Sequence, residues 1–375
     1  MPWTRNGWYA DVSSDPAASD SLRVCHRSLH AQCARHHVIP REGHHHGALV
    51  LAGVVSAVDR RPVLVATATN NEAERLAADM AAVLGDDEVA LFPAWETLPF
   101  ERVSPGVEVM GRRLRAMWKL GHPDRSPRVL VAPVRALIQR LGPHVEDVEP
   151  VVVRPGQVLD PDGLLADLVG AGYRREYQVE HRGEFAVRGS IVDVFPSTAD
   201  RPVRVDLWGD EVDRLSEFSV TDQRSTEDLD EAVVFACREL RPTEEVRDRA
   251  AQLVGSEPWG REHWDRLAQG EVFDGMESWL PWLVEGEHLL PDLLPAEAQV
   301  LLVEPSRMRD RAADLLAEEA DLAGTLATSW QAGDRELPRL HLPFDRLLAH
   351  TDVPVWSVVP TATGPDVPVV ETAGW

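Results

Sequence analysis

Residues 183–196, Gly-Glu-Phe-Ala-Val-Arg-Gly-Ser-Ile-Val-Asp-Val-Phe-Pro, and the run Pro202-Val-Arg-Val-Asp-Leu-Trp-Gly-Asp-Glu-Val-Asp-Arg-Leu-Ser-Glu-Phe218 decide how the middle of this chain folds. Short stretches with alternating apolar positions are separated by Pro and Gly-Asp breaks, which is the pattern of a β-meander. From Val203 to Trp208 the alternation puts Val203, Val205 and Leu207 on one face and Arg204, Asp206 and Trp208 on the other. Such a sheet buries one side only. Arg204 and Trp208 on the outer side, with Arg188 on a neighbouring strand, form the Arg-plus-aromatic grouping that dominates binding energy at protein interfaces. The same spacing also fits a plainer arrangement, in which another element of the chain covers Trp208 and the arginines are solvated.

Outward from this block the rhythm is different. A helix-like run begins at Gly47, and Pro62 to Ala66, Val89 to Phe92 and Arg128 to Ala132 are apolar strands alternating with helices over Glu72 to Leu84 and Val109 to Leu120. Strands alternating with helices imply a parallel sheet covered on both faces. Between Val151 and Phe235 a single helix, Asp162 to Val169, is followed by short strands and tight turns, an α+β pattern. Helices near 244–254 and 262–267, the buried strand Gln299 to Val303 and a helix over Ser306 to Leu316 are then expected to complete the first sheet. The expected plan is an α/β domain split by an inserted α+β domain with an antiparallel sheet. Its parts are a disordered leader (1–42), the first α/β piece (43–150), the insert (151–234), the second α/β piece (235–345) and a tail or start of a linker (346–375).

Composition narrows the function classes. A chain of 375 residues exceeds one ordinary core, and no apolar run has the length needed to cross a bilayer, so a protein without membrane contact is expected, in the cytoplasm. Cys25, Cys33 and Cys237 are too few for a disulfide framework. A formal charge of -24 disfavours autonomous DNA binding, which depends on basic surface. The local basic run Gly111-Arg-Arg-Leu-Arg-Ala-Met-Trp-Lys119 reads as the solvated face of a helix opposite Leu114, Met117 and Trp118.

Nucleotide-driven chemistry needs a phosphate-cradling loop, with a lysine to neutralise phosphate and a hydroxyl for magnesium. The chain has one lysine, Lys119, between Trp118 and Leu120. The corresponding place, Gly43-His-His-His-Gly47-Ala-Leu49, lies before a helix and strand but lacks the cation, so Gly43 and Gly47 mark a degenerate nucleotide site. Asp210-Glu211 and Asp230-Glu231 read as turn residues rather than magnesium ligands. The cluster Cys25, His26, His30, Cys33, His36, His37 and His44 to His46 matches no closed zinc spacing, and no metal site and no catalytic residue are expected.

The block from Gly183 to Ser225 resembles the second domain of the bacterial transcription-repair coupling factors, the Mfd family, a module shared with the excision-repair protein UvrB. Leu91-Phe-Pro-Ala-Trp-Glu-Thr-Leu-Pro-Phe-Glu-Arg-Val-Ser-Pro105 and Gly111-Arg-Arg-Leu114 are similar to the coupling-factor form rather than the UvrB form. The similarity runs from residue 43 to 345 and is most specific over Gly156 to Ser225. It implies the domain order 1a, 2, 1b and a surface that docks the damage-recognition ATPase UvrA through Arg188, Arg204 and Trp208, the last standing where the family often has Phe. It also implies an adaptor role in transcription-coupled nucleotide excision repair. The polymerase-binding and translocase domains of the family are expected beyond Trp375, and with them any use of ATP and magnesium and any contact with RNA polymerase or DNA; no cofactor is expected here. Two other readings stay open: a nucleotide-dependent α/β hydrolase with an atypical phosphate site near Gly43 and Gly47, and an autonomous UvrB-like binder of damaged DNA. The tyrosines, Tyr9, Tyr173 and Tyr177, speak against the latter, since none lies between Phe92 and Gly111, where UvrB carries its tyrosine-rich hairpin.

Overall fold

A fully apolar strand needs cover on both faces, and the computed structural model provides it for the runs picked out above. The structure describes residues 8–11, 51–53, 55, 59–98, 100–329, 337–359 and 369–370. The first strand is β1 (Trp8–Asp11), followed by β2 (Val63–Thr67). Helix α1 (Asn70–Leu84) starts where Thr69 and Glu72 form a capping box, each side chain accepting from the other's backbone N–H, and it turns Ala73, Ala77 and Met80 inward. β3 (Val89–Leu91), α2 (Val107–Gly121) and β4 (Val129–Pro133) complete the first α/β piece, with β2 and β3 both parallel to β4.

The chain then leaves through β5 (Val151–Val153). Asp160 caps α3 (Pro161–Gly170), and Pro161 at its first position suits the fixed φ of a helix start. Next come β6 (Arg174–Arg175), β7 (Glu184–Arg188), β8 (Ile191–Val194), β9 (Val203–Trp208), β10 (Glu211–Phe218) and β11 (Ser225–Asp228), forming a six-stranded sheet in the order β11-β10-β9-β8-β7-β6. It is antiparallel except at one edge, where β6 runs parallel to β7. The return leg β12 (Ala232–Val234) pairs antiparallel with β5, so the outgoing and incoming chains close the neck of the insert. Phe185, Val192, Val194, Val203, Val205, Leu207, Val212 and Leu215 cover the inner face and pack on Leu164 and Leu168 of α3.

After the insert, α4 (Glu244–Ser256) and α5 (Arg261–Ala268) build a helical lobe around Trp264, Trp279 and Trp282. β13 (Gln299–Val303), α6 (Pro305–Ser329), α7 (Phe344–Ala349), β14 (Val355–Val359) and β15 (Val369–Val370) follow. The finished sheet has the order β15-β1-β14-β13-β2-β4-β3. From β14 to β3 every pairing is parallel, while β1 joins β14 and β15 antiparallel at the edge. Leu64, Ala66, Leu130, Ala132, Val300 and Leu302 face one core with α2, α6 and α7; Val63, Val65, Val129, Val131 and Leu301 face the other with α1. The architecture is therefore a parallel α/β layer interrupted by an inserted, mainly antiparallel sheet. Two stretches behave differently from their sequence expectation: Trp8–Asp11 within the 1–42 leader and Val355–Val359 within the 346–375 tail both supply strands. The apolar run at Val355 is masked in sequence by Pro354 and the Pro- and Thr-rich residues after it, and its parallel partner β13 is supplied only by the fold.

Helix α2 corrects a second expectation. Arg113 belongs to no solvated face, because it is fully buried. Its Nε donates to Glu239 Oε1 at 2.6 Å, its Nη1 donates to the Pro93 carbonyl at 3.0 Å, and its guanidinium lies 4.1 Å from the centre of the Phe92 ring. Trp95 Nε1 donates to the same Glu239 oxygen at 2.8 Å. Two residues earlier on α2, Gly111 is where the insert comes closest: a Cβ there would stand 2.3 Å from Ser197 Oγ. Ser197 is itself buried and donates to the Phe235 carbonyl at 2.9 Å, so it has nowhere to retreat. The Gly-Arg-Arg-Leu motif is thus a close helix-to-insert contact followed by a buried ion pair. Arg113→Met leaves the Glu239 carboxylate buried without its cation and is expected to cost about 3–5 kcal/mol in urea unfolding. Adding Glu239→Leu to that variant should recover part of the loss.

Candidate protein-docking face

The outer face of the inserted sheet follows from its register. Arg188, Ile191, Asp206 and Arg214 form one row across β7 to β10, and Ala186, Asp193, Arg204, Ser216 and Asp228 form the next across β7 to β11. Cross-strand partners share a face, so every sequence-predicted member of the cluster points away from the inner core. Trp208 closes β9 opposite Glu211, across a two-residue turn in which Gly209 takes φ 69°.

Asp193 organises the arginines. It is wholly buried, and its carboxylate accepts from Arg204 Nε at 2.7 Å, Arg204 Nη2 at 2.9 Å and Arg188 Nη2 at 2.6 Å. A second anchor is Gln223, in the left-handed region at φ 60°, whose carbonyl accepts from Arg204 Nη1 and whose side-chain oxygen accepts from Arg188 Nη2, each at 3.0 Å. The Arg204 guanidinium also lies 4.7 Å from the centre of the Phe218 ring. Hydrogen bonds to Asp193 hold Arg204 above the ordinary arginine range. Two guanidinium groups share one buried carboxylate, and Asp206 on the same face adds its charge to the field on Arg204.

The three sequence-predicted residues therefore differ in what they offer. Trp208 is 82% exposed, which removes the arrangement in which its own chain covers it. The Arg188 side chain is 41% exposed and can reach outward, whereas that of Arg204 is 13% exposed and is spent on Asp193, Gln223 and Phe218. Sequence reasoning missed Asp193 as the clamp; its signal was a carboxylate inside the apolar strand Ile191–Val194 at an outward position. It also missed Val158, 68% exposed, which bridges to Glu211 from a loop and so extends the row beyond Trp208. No local periodicity marks that loop.

Gly43 and Gly47, and the cysteine and histidine cluster from Cys25 to His46, lie outside the described residues. In the sequence 43–49 the second glycine, Gly47, is followed by Ala48 and Leu49 where a phosphate loop has Lys and a hydroxyl, and no step is assigned to a nucleotide. Among the described residues no group of three or more His, Cys, Asp or Glu is placed to hold a metal ion, and no helix is long and apolar enough to cross a membrane. Asp210 occupies the β9–β10 turn, and Glu231 is paired with Arg154.

Comparison with known proteins adds the following. Residues 151–240 match the family model of the UvrB interaction domain. The chain is similar to the transcription-repair-coupling factor of Mycobacterium tuberculosis, 45% identical over 294 residues that make up 74% of this chain and 24% of that protein. It is likewise similar to those of Myxococcus xanthus, 33% identical over 339 residues (85% and 27%), and Escherichia coli, 33% identical over 246 residues (62% and 21%). The chain spans about a quarter of the length of these relatives.

The geometry separates stability from surface chemistry. Trp208→Ala is expected to change unfolding free energy by less than about 0.5 kcal/mol. Arg204→Ala strands part of the buried Asp193 charge and should cost ~3 kcal/mol, the lower end for a broken buried pair because Arg188 remains. Chemical denaturation of the two variants side by side checks both values.

Proposed function

We propose that this chain, a homologue of the transcription-repair-coupling factors with a UvrB interaction domain at residues 151–240, is a recruiting module that docks UvrA on the outer face of its inserted sheet. Its role is that of an adaptor in transcription-coupled nucleotide excision repair, without catalysis of its own. The observation that carries this reading is the 82% exposed indole of Trp208 at the end of a strand whose arginines are fixed by a buried carboxylate. A large aromatic left in water on a rigid hairpin, beside a preset guanidinium, has the make-up of an interface anchor.

Three parts share the work. Trp208 supplies area, filling an apolar pocket on the partner together with Val158 across Glu211. Arg188 supplies direction: Asp193 takes one of its nitrogens and leaves other N–H groups for partner carboxylates. Arg204 acts from behind, holding Asp193 and the Gln223 loop so that little side-chain freedom is lost on docking. The non-catalytic part of the reading is supported by the single lysine, which lies on α2 and not in a glycine loop.

The test uses the chain and purified UvrA in titration calorimetry. Trp208→Ala, at the parent unfolding midpoint, and Arg188→Gln, which keeps an N–H donor for Asp193, should each weaken the complex by at least about 2 kcal/mol, roughly thirtyfold, with circular dichroism verifying that both are folded. Unchanged affinity in both variants would remove this face as the docking site.

A further inference from the structure

The sequence singled out a second group of cations that the docking face does not use: Arg115 and Lys119 on α2. With Arg125, in the turn that follows, they line a cavity of about 810 Å³ between that helix and the β5–β12 ribbon, with Val152, Val233 and Phe235 on the opposite wall. We propose that this cavity binds a small phosphate-bearing anion, an oligophosphate.

The first argument is unmet charge. Elsewhere in the chain arginines are commonly paired, as Arg188 and Arg204 are with Asp193 and Arg154 is with Glu231 on the rim of this same cavity. Among the described residues none of Arg115, Lys119 and Arg125 forms an ion pair. This happens in a chain with 62 acidic against 38 basic side chains, where a partner carboxylate is easy to supply. Burial pushes the Arg115 guanidinium and the Lys119 amine down; Arg112 adds to this for the one and Arg115 and Arg125 for the other, with Asp87 opposing them only in part at Lys119. Cations that are partly desolvated and mutually repelling are stabilised by any anion that comes between them.

The second argument is shape. Arg115 and Lys119 stand four residues apart on α2, about 6 Å between their Cβ atoms, and Arg125 adds a third positive group beyond the helix end. Separated cations of this kind suit an anion with its charge spread over several oxygens rather than a single ion. The volume lies within the roughly 300–1,000 Å³ range of small-molecule sites. The walls are held: Trp118 donates to Glu149 at 2.7 Å and stacks on His122 with ring centres 4.2 Å apart. Ser126 adds a buried hydroxyl with no hydrogen-bond partner among the described residues.

The third argument limits ligand size. Asp87, Glu88 and Asp124 are exposed at the cavity, and the whole chain carries a charge of -24. An extended nucleic-acid backbone would meet these carboxylates along its length, whereas a short phosphate chain needs to reach only Arg115, Lys119 and Arg125.

Titration calorimetry with inorganic pyrophosphate on the full chain tests the site. Saturable binding is expected, weakened by about tenfold or more in Lys119→Gln and in Arg125→Gln, since each removes a charge-assisted contact. Trp208→Ala on the docking face, away from the cavity, should leave it unchanged. Far-UV circular dichroism and the unfolding midpoint verify that the variants are folded. Absence of pyrophosphate binding, or binding insensitive to both cavity variants, overturns the proposal. A single-stranded oligonucleotide that binds through Lys119 and Arg125 more tightly than pyrophosphate overturns it as well, by giving the cavity to a nucleic-acid backbone. None of these outcomes bears on UvrA docking, whose variants lie on the other sheet.

Discussion

The chain leaves its parallel sheet before residue 151 and does not return until after 234, and a buried charge pair joins the two sides of that excursion. Arg113 comes from the helix before it and Glu239 from the strand exit after it, and they meet where neither is accessible to water. An unpaired charge in that position is far more costly than a paired one, so the pair can exist only when both α/β segments are docked. Trp95 and Pro93 hold the same knot from the loop after β3. The insert is fastened beside it, with Tyr173 Oη donating to the Phe235 carbonyl at 2.8 Å and accepting from the Ser197 N–H at 3.0 Å. Burial there pushes the Cys237 thiol up to about 12 and keeps it out of reactive chemistry. The outer sheet face is consequently displayed on a base that cannot rotate without breaking buried polar contacts.

Buried carboxylates appear at both levels of this design, and they do different things. Glu239 neutralises one arginine and ends the matter in the core. Asp193 is shared by two arginines and leaves one of them partly in water. The sharing converts a structural contact into a presented group: the strand positions are locked by hydrogen bonds, yet the Arg188 side chain stays partly in water, in a row that also holds Asp206 and Arg214. On the proposed docking reading, a partner carboxylate would meet oriented N–H groups and an indole whose strand is already fixed, which is the condition under which buried area turns efficiently into affinity.

Alternation in Val203–Trp208 was legible because strand geometry is local: with a period of two, one buried valine assigns the faces of its neighbours. The same is true of the apolar runs of β2, β4 and β13, whose two-sided burial follows from having no polar position to expose. What stayed hidden depends on partners distant in sequence. Arg113 reads as a surface residue on any helical wheel, and only Glu239, 126 residues away, reverses that. Arg204 reads as a free contact residue until Asp193 is placed opposite it by the β8–β9 register. Val158 and the strand Val355–Val359 depend on what lies beside them, not on their own pattern.

The basic run on α2 shows how one stretch of sequence divides under folding. From Gly111 to Lys119 the helix carries a contact glycine, a fully buried arginine, an exposed arginine paired to Glu108 and two half-buried cations that form no ion pair among the described residues. Helical geometry alone spreads these around the axis; the surroundings decide their roles. Arg113 meets a carboxylate because the core closes against it from the far side of the insert. Arg115 and Lys119 instead face the neck of the insert, where β5 and β12 present Val152 and Val233 and leave a gap. On the ribbon side the acidic side chain that lines this gap, Glu231, is directed to Arg154 instead. Asp87, Glu88 and Asp124 line the same gap, yet none of them forms an ion pair with Arg115 or Lys119 among the described residues.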